Sequence, residues 1–277
     1  MPQNAYQTQY RQEFIAGFEK RQSLVRASVT TEAMIKGNTA TFLVADSGSA
    51  TAVTRGLNGD IPTRPDNLNQ YSATLQEWHD VPERTNFNIF ASQGDGRRIM
   101  QETSMAVINR KIDTDINTQL ATATVTWGSA AAATMALISK AKTKLANAFA
   151  DDNPEDMWAQ ITPAFWAYMT TFNQFTSADY INQKPFEGVA RSKAFNWYGV
   201  NWIVNPELAG VGTSSSTCFM YNRKAIGHAA DKKNTQTFVG YDAKNDKSWA
   251  RCSIYMGSAL LQNAGVVKML HNDSAYS

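Results

Sequence analysis

The chain has 277 residues, 43% of them hydrophobic and 18% charged, with a formal net charge of +2. Length and apolar content support a core for one large domain or two modest ones, and the near-neutral balance excludes a protein that grips nucleic acid through a concentrated basic face. Charge falls below the roughly 25% of an ordinary soluble domain, and 21 Asn and 15 Gln against 24 carboxylates fill the gap; an amide-rich surface repels its own kind weakly, which suits packing against copies of itself.

In chain order, residues 1–36 read as a polar arm, with Phe14, Ile15, Phe18, Leu24 and Val25 at helical spacing and little nearby to bury them. The pattern Met1-Pro2-Gln3-Asn4 has no basic-then-apolar signal, and no run approaches 18 apolar residues. Together these predict synthesis in a cytoplasm and no membrane partner. Thr39 to Val44 is a β-rich run, and Tyr71, Ala73 and Leu75 alternate with Ser72, Thr74 and Gln76. Between them lies a turn-dense tract with Asn58-Gly59, Pro62 and Pro65. The pattern predicts a large hairpin with a long polar tip and too few apolar residues for a core of its own.

Ile108, Ile112, Ile116 and Leu120 recur every fourth residue over about 95–120, with Met100 and Met105 extending the stripe. That is a long spine helix. A second helix is expected over about 131–150, with Met135, Ile138, Ala141, Leu145 and Phe149 on one face. Met157 to Ile161 reads as a buried strand, and Thr162-Pro163 as the cap and first turn of another helix. Residues 177–188 form a connecting loop. Trp197 to Val204 is expected as one strand, Cys218 to Tyr221 as another, and Arg223 to Ala230 as a brief helix. The closing segment is β-rich: 237–241, 248–256 and 266–270. This order is α+β, without regular βαβ alternation or an internal repeat.

Sites for chemistry are thin. His79, His228 and His271 are scattered, and Cys218 and Cys252 form neither a zinc spacing nor a disulfide framework. Asp113-Thr114-Asp115 mimics the opening of a calcium loop, but Thr118 and Thr124 stand where Gly and Glu are needed, and the carboxylates are expected to face solvent. Gln93-Gly94-Asp95-Gly96-Arg97-Arg98 lacks phosphate-loop spacing, and no nucleophile elbow occurs. Asn272-Asp273-Ser274 is a sequon without a signal peptide. Trp158, Trp166, Trp197 and Trp202 lie in apolar segments, as core aromatics do. No catalytic residue, metal site or cofactor is expected, and the chain is not read as an enzyme.

The order of elements resembles the Hong Kong 97-like fold of tailed-phage major capsid proteins. The resemblance rests on Gly94-Asp95-Gly96-Arg97-Arg98 leading to Asn109-Arg110-Lys111-Ile112-Asp113-Thr114-Asp115-Ile116, on Ile161-Thr162-Pro163-Ala164-Phe165, on Ala225-Ile226-Gly227-His228-Ala229, read as a helix, and on Gly265-Val266-Val267-Lys268-Met269-Leu270. It implies an N-terminal arm (1–36), an extended β-hairpin loop (37–82), a peripheral domain with the spine helix (83–130 and 236–277) and an axial domain (131–235). The implied function is a shell subunit forming pentamers and hexamers around a double-stranded DNA genome, with a portal and room for a decoration protein. The virion capsid would be its location, and the host cytoplasm its place of assembly. No lysine lies between Lys36 and Lys111, which argues against a lysine–asparagine cross-link in the loop. The chain starts almost at the arm, which implies a separate scaffolding protein.

Residues 37–96 carry seven acids against three arginines, a balance of −4, while the first 36 carry five bases against three acids, +2. Opposite-signed elements that meet on neighbours aid register, and Arg55, Arg64, Asp60 and Asp66 are the candidate inter-subunit contacts. Two other readings stay open: an encapsulin-like nanocompartment shell, and, from another class, a small-ligand or sugar-binding α+β protein.

Overall fold

A computed structural model describes residues 23–31, 34–47, 50–64, 67–91, 96–173, 194–231 and 236–276. The elements are β1 (Met34–Lys36), β2 (Thr39–Asp46), β3 (Asn67–Thr74), β4 (Gln76–Asp80), β5 (Glu83–Thr85), α1 (Asn86–Ala91) and α2 (Gly96–Ala121). There follow α3 (Met135–Asn147), β6 (Met157–Ile161), α4 (Pro163–Met169), β7 (Ala194–Trp197), β8 (Val200–Val204) and β9 (Ser216–Asn222). The chain closes with β10 (Ile226–Ala230), β11 (Gln236–Asp242), β12 (Lys247–Leu260) and β13 (Val266–His271). Two compact units divide it: Met1–Ser23, Gln76–Asp113 and Ala230–Met256 form one, and Leu24–Leu75, Thr114–Ala229 and Gly257–Ser277 the other.

In the first unit β12 carries antiparallel partners: β11 from Gln236↔Ser253 to Asp242↔Lys247, β4 at Trp78↔Ile254 and β5 at Arg84↔Ser248. The helix α2 buries every fourth residue: Met100, Ser104, Ile108, Ile112, and beyond the unit's end Ile116 and Leu120. The expected Met105 is 49% exposed. Strict spacing of four selects Ser104, whose hydroxyl donates to the Asp80 carbonyl at 3.3 Å. A polar residue can hold an inward position where a backbone acceptor meets it.

The second unit is built on a five-stranded sheet in the order β13-β9-β6-β8-β7, antiparallel except for β6 and β8. Its helix α3 is capped by Thr134 and buries Ile138, Ala141 and Leu145. The helix stops at Asn147, so Phe149, expected on the buried face, has φ +54° and is 82% exposed. Thr162 caps α4 by accepting from the Phe165 amide at 3.1 Å, with Pro163 in its first turn, as expected. The single strand expected over 197–204 is a hairpin, because Tyr198 and Gly199 both have positive φ between β7 and β8, the geometry of a tight primed turn. The loop expected over 177–188 and residues 1–22 of the arm lie outside the described residues.

Between Asn222 and Ala230 the expected brief helix is a single 3-10 turn, Arg223–Ala225, followed by β10. Pairing with the N-terminal segment imposes the extended form: the Thr30 amide donates to the Ile226 carbonyl at 3.0 Å, and the His228 amide donates to the Thr30 carbonyl at 2.8 Å. A chain of buried side-chain bonds fastens the same segment. Asn205 Nδ2 donates to Gln160 Oε1 (3.1 Å), and Gln160 Nε2 donates to the Tyr221 hydroxyl (3.1 Å). Tyr221 and Ser28 are 2.5 Å apart, and Ser28 donates to the Val25 carbonyl (2.6 Å). With the Ser28 proton thus committed, Tyr221 is the donor between them.

The third sheet is β1-β2-β3. One face of it packs Ala40, Phe42 and Ala73 against Ala229 and Leu261. The Phe42 ring lies where Gly227 leaves room, and a Cβ on Gly227 would come within 2.6 Å of it. Gly227→Ala is therefore expected to destabilise the fold by about 1–3 kcal/mol through overpacking. Urea unfolding checks this, and the loss should shrink in a Phe42→Leu background, since the two sites are coupled.

Candidate assembly surfaces

The hairpin β2–β3 pairs from Thr39↔Thr74 to Asp46↔Asn67. Side chains alternate between faces along it. Ala40, Phe42, Val44, Tyr71 and Ala73 fall on the packed face. Leu43, Ala45 and Leu68 fall on the opposite one, where Leu43 is 70% and Leu68 63% exposed. Beyond the strands the neck is tied by the Ala50 amide and the Arg64 guanidinium, which both donate to the Ser47 carbonyl (3.0 and 3.3 Å). Asn67 also donates to the Asp46 carboxylate. The tip is a turn in which the Gly59 amide donates to the Gly56 carbonyl and the Gly56 amide to the Asp60 carbonyl, each at 2.9 Å. Gly59 has φ +81°. Val53, Leu57 and Ile61 are exposed, Leu57 wholly so.

Of the four candidate contacts, Arg55 and Asp60 are exposed at the two ends of this turn. Arg64 is exposed at the neck and anchored to Ser47. Asp66 lies outside the described residues. The sequence reading missed Leu43, Leu57 and Leu68. The signal was present in the period-two pattern, which puts Leu43 opposite to Phe42.

Groups that could carry chemistry are engaged in holding the fold. Asp113, expected to face solvent, is fully buried and accepts from Ser23. Asp115 accepts from Ser258 at 2.5 Å. Among the described residues no cluster of His, Cys, Asp and Glu is arranged to hold a metal ion. Ser216, His271 and Asp273 have the composition of a hydrolase triad but are wired otherwise. Ser216 Oγ (2.7 Å) and His271 Nδ1 (2.5 Å) both bond the Asp273 carboxylate, so the imidazole does not stand between hydroxyl and acid. All three are fully buried. A serine is activated only when the imidazole takes its proton, so this cluster is a latch. It fixes the closing segment to the Thr162 hydroxyl (3.0 Å) and the Gly212 amide (3.1 Å).

Burial raises the Asp273 carboxyl, but the bonds from His271, Ser216, Gly212 and Thr162 outweigh it and hold the group below its ordinary value. Burial lowers His271 despite its acidic partner, so the ring stays neutral. Burial, with Arg26 adding to it, depresses His228 to about 4; its Nδ1 lies 2.9 Å from the Ser258 hydroxyl. Because Ser258 donates to Asp115, His228 Nδ1 is the donor. Burial pushes the Cys218 thiol up to about 12, which leaves it inert. Phe165 lies 6.0 Å from Trp127 and 6.3 Å from Trp202, and both indoles are buried, whereas Phe87, Phe149 and Tyr276 are exposed.

A family model described as phage capsid protein matches residues 3–273. No curated protein matches the chain. Among solved structures, one titled Mycobacterium phage Che8 superposes with TM-score 0.72 at 13% identity, over 97% of this chain and 98% of that one. The capsid of a native GTA particle gives 0.72 at 10% identity (98% and 97%), and the capsid of Ralstonia phage GP4 gives 0.71 at 10% (97% and 96%). At such identities these likenesses speak for the fold.

The buried histidines set a pH dependence. A ring whose folded pKa lies below its unfolded value binds its proton first in the unfolded chain. Its stabilisation is full above the ordinary 6.5 and is lost as the pH falls towards about 4 for His228. His228 is expected to contribute roughly 3 kcal/mol of this slope. Urea unfolding between pH 7 and 4 checks it, and His228→Gln should flatten the profile.

Proposed function

The chain belongs to the phage capsid protein family, and we propose how this major capsid subunit, with its Hong Kong 97-like fold, builds the head shell. The observation that carries the reading is the hairpin, buried on one face and apolar but bare on the other, at Leu43 and Leu68. A monomer has no use for that face, whereas a subunit lying across its neighbour covers it. The shell would be made of pentamers and hexamers enclosing the double-stranded DNA of a tailed phage. A portal, a separate scaffolding protein and a decoration protein would be its partners, and the host cytoplasm its place of assembly. The protein would act without catalysis. Segment by segment, 1–36 would serve as the arm, 37–82 as the extended loop, 83–130 with 236–277 as the peripheral domain and 131–235 as the axial domain.

Each contact is modest, but one subunit makes several at once, so closure is cooperative through effective concentration. Arg55, Asp60, Arg64 and Asp66 would set register through charge. Neither the nanocompartment reading nor the sugar-binding reading has an observation in its favour.

Electron microscopy of the purified protein, with and without a co-expressed scaffold, should show closed shells or capsomers; a compact monomer under every condition would overturn the proposal. Replacing Arg55 and Arg64 together by Glu should abolish shells while leaving the circular dichroism and melting of the subunit unchanged. Shells formed as before would sink the contact assignment.

A further inference from the structure

His228 is fully buried on β10, and its two ring nitrogens differ. Nδ1 donates to the Ser258 hydroxyl at 2.9 Å, and that hydroxyl donates to the Asp115 carboxylate at 2.5 Å. Nε2 is buried and meets no hydrogen-bond partner among the described residues. A second proton must enter at Nε2, where the charged ring would carry an N–H with nothing to accept it. The charged groups around the ring offer no relief. Arg26, on the N-terminal segment, acts on it as a like charge, and Asp115 of α2 stands on the Nδ1 side, behind Ser258. The Arg223 guanidinium is turned to the Val29 carbonyl at 3.3 Å.

The pieces packed around the ring are held unequally. β10 is hydrogen-bonded to β12 within a sheet, and α2 runs for 26 residues. Residues 25–30 meet β10 at the single bridge Thr30↔Gly227. Two backbone bonds make it: the Thr30 amide to the Ile226 carbonyl (3.0 Å) and the His228 amide to the Thr30 carbonyl (2.8 Å). The one regular element of this segment is a 3-10 turn of three residues. Its departure brings water to Nε2 and removes Arg26 at the smallest structural loss. We propose that His228 is an acid-sensitive catch for the N-terminal segment: the neutral ring lets residues 24–30 close on β10, and the protonated ring drives them off while the sheet behind stays formed. The release does not depend on the shell reading; where residues 1–36 serve as an arm, the catch decides whether that arm is rooted. Burial, with Arg26 adding to it, holds the closed form at about 4, against the ordinary 6.5 that the ring regains on opening. The stabilisation is therefore fully present above 6.5 and is lost as the pH falls towards about 4. A single site with these two values opens about 20-fold more at pH 5 than at pH 7, with a ceiling of about 300-fold in stronger acid.

Amide hydrogen exchange on the 277-residue chain reads the opening directly. Corrected for the intrinsic pH dependence of exchange, protection of the Thr30 and His228 amides should fall about 20-fold from pH 7 to pH 5. The amides of β9 that pair with β13 should keep theirs. His228→Asn places an amide nitrogen near the position of Nδ1 and cannot titrate, so Thr30 should be equally protected at both pH values. Arg26→Gln removes the like charge, so the fall should be smaller than in the unaltered chain. Equal protection at both pH values in the unaltered chain, or an undiminished fall in His228→Asn, would overturn the proposal. So would loss of protection in β9 in step with Thr30, because the chain would then be unfolding as a whole. Should His228→Asn not fold, Arg26→Gln decides, and an unchanged fall there counts against the catch. None of these outcomes bears on shell formation, which electron microscopy reads separately.

Discussion

The structure turns on a constraint of strand geometry: a hairpin has two faces, and among the described residues only one of them is covered. Phe42, Ala40 and Ala73 take the covered face, against Ala229 and Leu261. Because the side-chain period is two, Leu43 and Leu68 must then point away. No change of register resolves the conflict. A slip by one residue would bury Leu43 and put Phe42 in water. Among the described residues, the hairpin therefore carries apolar surface left bare at Leu43 and Leu68.

A bare arm is useful only if its base does not move. The base is held from beneath by β10, which is kept extended through its pairing with Thr30, and by the buried chain of bonds from Asn205 through Gln160 and Tyr221 to Ser28. Each polar atom in that chain has its partner, the condition under which a buried network rigidifies instead of weakening a core. Gly227 completes the seat by letting the Phe42 ring approach the backbone. The same strand thus receives the N-terminal segment at Thr30 and the Phe42 ring of the arm at Gly227.

Much of this was legible in the sequence. The hairpin, the spine helix α2, the strand-to-helix step at Thr162-Pro163 and the closing strands all announce themselves by period and by turn chemistry. What failed did so for identifiable physical reasons. Met105 was preferred to Ser104 on hydropathy, though the spacing of four favours the serine and a carbonyl of β4 satisfies it. The helix expected at Arg223 to Ala230 lost to pairing with residues far away in sequence, which no local pattern encodes. Asp113 reads as solvated because carboxylates usually are, while its donor Ser23 lies 90 residues distant. In the candidate surfaces, Arg55 and Asp60 are legible because the charge balance of residues 37–96 against the first 36 singles them out. The apolar members are not, since a leucine in a strand is assigned to a core by default, and only the covered face reveals which leucines are left over.

The distribution of chemistry over the molecule follows from the same division. Asp113, Asp115, His228, His271 and Asp273 are all engaged inside the fold, the histidines neutral and the carboxylates bonded. Groups held this way cannot turn over a substrate without loosening the structure they hold. Among the described residues, the outward groups include bare apolar side chains at Leu43, Leu57 and Leu68 and charges at the hairpin tip, Arg55 and Asp60. A shell subunit held by several modest contacts can be corrected while the shell is forming and is firm only when all are made, whereas a bond too tight to break would fix the first misplaced copy.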